Sequence, residues 1–155
     1  MTSDDRPART PAGDAFSLLV IRIFQLNGRL GAAGDALAKP AGQSTARWQV
    51  LASVQGQPRT VADIARALEL ARQSVQRTAD LLADEGLAVY EDNPGHRRAK
   101  LLRLTPAGET TLAAIQAEQR VWADRRGAKV GKADLERAAA ILDRVSTALG
   151  ARRPG

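Results

Sequence analysis

The chain has 155 residues, a length that suits one domain able to bury its own core. It contains no cysteine and one histidine, His96, which excludes disulfides, cysteine nucleophiles and peroxide-sensing thiols and argues against a zinc or iron site. Lys and Arg outnumber Asp and Glu by 23 to 17, and the net charge of +6 suggests an anionic partner.

Residues 1–13 are polar and lack a basic start followed by an apolar run, so they read as a flexible arm rather than a signal peptide. The first helix is predicted from about Asp14 to Leu37. Phe16, Leu19, Val20, Ile23, Leu26 and Leu30 make one apolar stripe, and Leu18, Ile21 and Phe24 add apolar surface beside it. A helix apolar on two sides is expected to face two partners, its own core and a second subunit. Its run Phe16–Phe24 is interrupted by Arg22 and is much shorter than the roughly 20 residues of a membrane span, so a cytoplasmic protein is expected. Gly28, Gly31 and Gly34 mark either close packing or a bend.

After Pro40 and Gly42, Ser44 reads as the N-cap of a second helix carrying Trp48, Val50, Leu51 and Val54, which stops near Gly56 and Pro58. Thr60 and Asp63 approximate a capping box for a short helix, Val61–Leu68. A brief turn leads to a fourth helix, about Arg72–Glu85, closed by Gly86. Two strand-like segments follow, Leu87–Glu91 and Lys100–Leu104, around the turn-rich stretch Asp92–Arg98. Thr105 and Pro106 open a fifth helix to about Arg126, and a sixth spans about Lys132–Leu149 with Leu135, Ile141, Leu142 and Leu149 on one side. Residues 151–155 read as a flexible tail. Aromatic residues are only 3% of the chain, so Leu, Ile, Val and Ala must fill the core, in keeping with a mainly helical fold.

The pair of helices at 60–86 is a helix-turn-helix candidate. With Val75, Ala79 and Leu82 inward, the second helix turns Gln73, Gln76, Arg77 and Asp80 outward, with Arg72 and Ser74 at its start. Arg and Gln pair with guanine and adenine edges, and recognition helices present their first turns to the major groove. An ordinary amphipathic surface helix would look the same taken alone. The hairpin shifts the balance, because its tip bears His96, Arg97, Arg98 and Lys100, suited to phosphates or the narrow minor groove. Residues 60–105 carry seven basic and seven acidic side chains, yet 97–103 has four basic residues and no acid. Segregation of charge, rather than its total, is the signal.

These residues resemble the MarR family of winged-helix regulators over about 14–150. The resemblance lies in Gly42–Leu51, in Asp84-Glu85-Gly86-Leu87, and above all in the segment from Arg97-Arg98 through Leu104-Thr105-Pro106-Ala107-Gly108. It implies a mainly α fold with a small β-hairpin wing: a winged helix-turn-helix lobe at about 44–105, and dimerisation helices at about 14–38 and 106–149. The implied function is a homodimeric regulator of transcription, a repressor on a pseudo-palindromic operator in double-stranded DNA, relieved by a small aromatic or drug-like ligand. By position, Arg72, Gln73, Ser74, Gln76 and Arg77 would face the major groove, and Arg98 would be the wing-tip arginine of the minor groove. The family commonly places an aspartate two residues before that arginine. His96 stands there instead and cannot form a carboxylate–arginine pair. Asn27, Arg47 and Trp48 are the implied effector-pocket residues, Arg47 being able to pair with a carboxylate.

No nucleophile–base pair, phosphate loop or metal cluster is evident, so neither an enzyme nor a cofactor is expected. The alternative function is a winged-helix module that contacts an acidic protein and does not bind specific DNA.

Overall fold

The computed structural model describes residues 9–150; of the arm expected at 1–13, residues 1–8 lie outside the described residues and residues 11–13 belong to the first helix instead, and the expected tail at 151–155 also lies outside them. The elements are α1 (Pro11–Ala38), α2 (Thr45–Ser53), β1 (Arg59–Thr60), α3 (Val61–Leu68), α4 (Arg72–Asp84), β2 (Ala88–Glu91), β3 (Leu101–Leu104), α5 (Pro106–Val130) and α6 (Lys132–Leu149). The mainly helical class and the hairpin are as expected. By its contacts the chain divides into two compact units, one up to Leu112 and one from Ala113 onward. None of the helices among the described residues is long and apolar enough to cross a membrane.

Helix α1 starts three residues earlier than its apolar stripe suggests. Thr10 is the N-cap, its hydroxyl accepting the Gly13 N–H at 3.1 Å, and Pro11 fits the first turn because that turn needs no N–H from it. At the other end, a 3₁₀ turn at Lys39–Ala41 closes on Gly42 before Ser44 caps α2. The Thr45 N–H donates to Asp35 Oδ1 at 2.7 Å, and its hydroxyl donates to the Gly31 carbonyl at 3.1 Å. Gly34 is buried against the Thr45 side chain, while Gly28 has open space around it. Close packing at Gly34, together with the hydrogen bond from Thr45 to the Gly31 carbonyl, therefore joins α1 to α2, while Gly31 itself has open space around it.

Thr60 has two roles. It ends β1, and its side chain caps α3 by accepting the Asp63 N–H at 3.1 Å and donating to Asp63 Oδ2 at 2.7 Å. The strand β1 was not foreseen, since two residues are too few to show alternation. It makes the hairpin a three-stranded antiparallel sheet of order β1-β3-β2, with Arg59 opposite Leu102 and Thr60 opposite Leu101. In the β2–β3 ladder Ala88 faces Leu104 and Tyr90 faces Leu102.

The core of the first unit gathers Val50, Leu51 and Val54 from α2, Ile64 and Ala65 from α3, and Val75, Ala79 and Leu82 from α4. Leu102 and Leu104 of β3 close it, and no polar residue is buried among the described residues. Truncating Leu51, Ile64, Leu82 or Leu102 to Ala removes fully buried atoms and would cost about 2–5 kcal/mol. Helix α4 ends on Gly86, whose φ of 73° lets the Leu87 N–H turn back to the Leu82 carbonyl at 2.9 Å.

Helix α5 is capped by Thr105, whose hydroxyl accepts the Gly108 N–H at 3.1 Å and donates to the Gly86 carbonyl at 2.6 Å. The Thr105 N–H donates to the Leu87 carbonyl at 3.1 Å, and a Cβ on Gly108 would overlap that same carbonyl oxygen. Beyond Leu112, α5 runs past Gly127 to Val130 rather than ending near Arg126, and the break comes at Gly131, with φ 92°. A glycine inside a helix costs only about 1 kcal/mol, so Gly127 is tolerated there. Helix α6 has no buried residue in the single chain, which leaves Leu135, Ile141, Leu142 and Leu149 exposed.

Gly108→Ala is expected to destabilise the chain by about 2 kcal/mol or more, read from the urea midpoint, because backbone rather than a flexible side chain must move. Asp35 and Asp63 are held below the usual carboxylate range, mainly by the Thr45 N–H and the Thr60 hydroxyl respectively. A carboxyl whose pKa falls on folding stabilises above its unfolded pKa, and loses that contribution as pH falls through the folded one. Replacing both by Asn should therefore reduce the drop in melting temperature between neutral pH and about pH 3. An unchanged acid limb would show that the two carboxylates are not linked to folding.

Candidate nucleic-acid interface

The inward stripe Val75, Ala79 and Leu82 fixes which side of α4 remains outside. Arg72, Gln73, Ser74 and Arg77 are exposed, and Gln76 is partly covered. The N-cap position is Ala71, which offers no side-chain acceptor; its carbonyl takes the Ser74 N–H at 3.0 Å and the Val75 N–H at 3.2 Å. The first turn of α4 contains no acid, so the positive end of the helix dipole is unopposed by its own side chains.

Across the loop from β2 to β3, backbone bonds from His96 to Asn93 and from Ala99 to His96 fold the wing tip, and Asn93 Oδ1 accepts the Gly95 N–H at 3.0 Å. His96, Arg97, Arg98 and Lys100 are all exposed. Two of them turn toward the helix. Arg98 and Lys100 line a cleft of about 300 Å³ together with Arg72, Gln76 and Tyr90, floored in part by Thr60. Three cations and no carboxylate border this space. His96 and Arg97 are not part of its lining. Gln73 and Arg77 border a shallower depression along α4, shared with Gln76, Asp80 and Asp84.

The fourth basic residue of 97–103 is used differently. Arg103 Nε donates to Glu91 Oε2 at 2.9 Å and its Nη1 to the Leu104 carbonyl at 2.9 Å, so its charge is matched within the hairpin.

Gln76 is part of a hydrogen-bonded triangle that local sequence does not reveal. Its Nε2 donates to Asp80 Oδ1 at 2.8 Å and to the Tyr90 hydroxyl at 2.9 Å, and the Tyr90 hydroxyl donates to Asp80 Oδ1 at 2.7 Å. Burial, reinforced by the neighbouring Asp80 carboxylate, pushes the Tyr90 phenol well above its usual value, so it keeps its proton. Asp80 lies one turn beyond Gln76, at the spacing that brings helix side chains together. Tyr90 comes from another element, and only the strand register brings it there.

The implied effector residues are dispersed. Asn27 is exposed on α1, and Trp48 packs against the core from α2. Arg47 pairs with Glu85, the C-cap residue of α4, while its Nε is buried without a hydrogen-bond partner, as is Gln43 Oε1. Glu85 is the partner that sequence reading missed, since nothing in the spacing of residues 47 and 85 announces it. Among the described residues no cluster of His, Cys, Asp or Glu could hold a metal ion.

Comparison with known proteins agrees with this geometry. The profile of the MarR family matches residues 42–99, which span α2, the helix-turn-helix and most of the wing. An uncharacterized protein of Mycobacterium tuberculosis is 39% identical over 141 residues, 91% of this chain and 99% of its own length. A MarR family transcriptional regulator from Streptomyces coelicolor superposes with a TM-score of 0.76 at 22% identity, covering 88% of this chain and 96% of that one. The transcriptional repressor CouR, solved on a 23-mer DNA duplex, gives a TM-score of 0.76 at 23% identity, covering 90% and 99%. At these identities the structural likeness establishes the winged-helix fold, and together with the family match over residues 42–99 it places the chain: it belongs to the MarR family.

Proposed function

We propose that this protein is a sequence-specific regulator of transcription that binds double-stranded DNA through α4 and the wing, and that it carries out no catalysis. The observation that carries this reading is the convergence of Arg72, Arg98 and Lys100 on one cleft beside Gln76. Phosphate affinity and base readout demand different side chains, and here cations for the first stand next to an amide for the second. Gln73, Ser74 and Arg77 extend the base-facing surface along α4, and His96 and Arg97 add wing-tip contacts to the sugar–phosphate backbone.

The active form in this reading is a homodimer on a pseudo-palindromic operator, its half-sites about 34–36 Å apart. Phe16, Leu18, Ile21, Phe24, Leu26 and Leu30 of α1 are exposed in the single chain, and so are the apolar residues of α6. Large apolar surfaces of this kind are what a partner copy covers. Repression would be relieved by a small aromatic ligand whose carboxylate meets Arg47. A carboxylate there would compete with Glu85 for Arg47 and so reach the end of the recognition helix.

Selection of bound duplexes from random DNA should return a pseudo-palindrome. Arg98→Ala with Lys100→Ala should weaken binding to every duplex alike and reduce the slope of log affinity against log salt by about 2. Failure of the unaltered protein to retard any duplex at low salt would sink this reading, and would favour a wing that contacts an acidic protein.

A further inference from the structure

A glutamine in the major groove is commonly assumed to pair with adenine through both ends of its amide, N7 taking a hydrogen and N6 giving one. The surroundings of Gln76 are incompatible with that mode. Its Nε2 lies 2.8 Å from Asp80 Oδ1 and 2.9 Å from Tyr90 Oη, while those two oxygens are 2.7 Å apart. The Tyr90 proton is committed to Asp80, so toward Gln76 both oxygens act as acceptors. Only the NH₂ end of the amide satisfies two acceptors. Turned over, the amide would place its own oxygen 2.8 Å from a carboxylate oxygen, with no proton between them. The flip state of Gln76 is therefore fixed by chemistry. Its Oε1 is the end left to meet a ligand, at the border of the cleft that holds Arg72, Arg98 and Lys100.

We propose that Gln76 is a single-acceptor reader, specifying the exocyclic amine of a cytosine or adenine, with Tyr90 and Asp80 as the positioning residues that withdraw its amide nitrogen from the groove. In the major groove only cytosine N4 and adenine N6 offer a donor, whereas guanine presents O6 and N7 and thymine presents O4 and a methyl group. A lone acceptor consequently selects the strand on which the amine stands at that base pair. It takes no account of purine N7.

This inference rests on the DNA-binding role proposed above, and its test separates the two. Duplexes are selected with the unaltered protein and with Gln76→Ala, which identifies the base whose preference depends on Gln76. That base is then replaced by analogues differing in one group: purine or 7-deazaadenine for adenine, 2-pyrimidinone or 5-methylcytosine for cytosine. Loss of the amine should weaken binding about tenfold. Loss of N7, or addition of the 5-methyl group, should change it less than about twofold. The variant Tyr90→Phe, Asp80→Ala frees the amide and should gain sensitivity to 7-deazaadenine while keeping its helical circular dichroism.

Several results would overturn the proposal while leaving DNA binding intact. One is a guanine or thymine at the Gln76-dependent position. Another is equal loss from removing N6 and N7 in the unaltered protein, the mark of two-point pairing. A third is a Gln76→Ala selection that matches the parent at every position. Absence of any duplex binding would remove both readings together.

Discussion

The carbonyl oxygen of Leu87 lies where the end of α4, the start of the wing and the first turn of α5 converge. It accepts the Thr105 N–H, and it occupies the volume that a side chain on residue 108 would need. Next to it the Thr105 hydroxyl joins the cap of α5 to the Gly86 carbonyl, the residue that terminates α4. The base of the hairpin is thus tied directly to α4. Because β2 and β3 leave this junction in fixed register, with Ala88 opposite Leu104 and Tyr90 opposite Leu102, everything farther along the wing inherits its placement. Arg98 and Lys100 share a cleft with Arg72 for that reason, although more than twenty residues separate them in sequence.

Elements governed by strong local chemistry were legible in the sequence. Helices α3 and α6 begin and end where their apolar spacing, caps and glycines predicted, and α4 differs only at its last residue. The misses each have a physical source. Helix α1 begins before the expected Asp14, because no apolar stripe marks its first turn, and a proline there is well suited behind a threonine cap. Helix α5 outruns its expected end near Arg126, because a glycine ends a helix decisively only where the backbone turns left-handed or extended, as it does at Gly131 and not at Gly127. Strand β1 owes its existence to pairing with β3, some forty residues later, so no local pattern could encode it.

The candidate site divides along the same line. Arg72, Gln76, Arg98 and Lys100 were identifiable from residue type and position, and the fold brings these four to one cleft. Their partners were hidden. Tyr90 meets Gln76 only because β2 folds back along α4, Arg103 is neutralised by Glu91 across the ladder, and Arg47 finds Glu85 at the far end of α4. Composition counts all of these charges equally. The structure separates those matched internally from those directed outward, and for a lobe neutral in total that separation is the informative quantity.

Asp80 and Asp84 border the same depression on α4 as Gln73 and Arg77. In the proposed role this reading surface carries its own repulsion toward phosphate. Arbitrary DNA is held through the backbone alone, so that repulsion falls most heavily on wrong sites and shortens each stay there. On a matching sequence, base contacts offset it and dwell time lengthens. The carboxylates thereby govern how quickly the protein abandons unsuitable stretches, a property of the search rather than of the final complex.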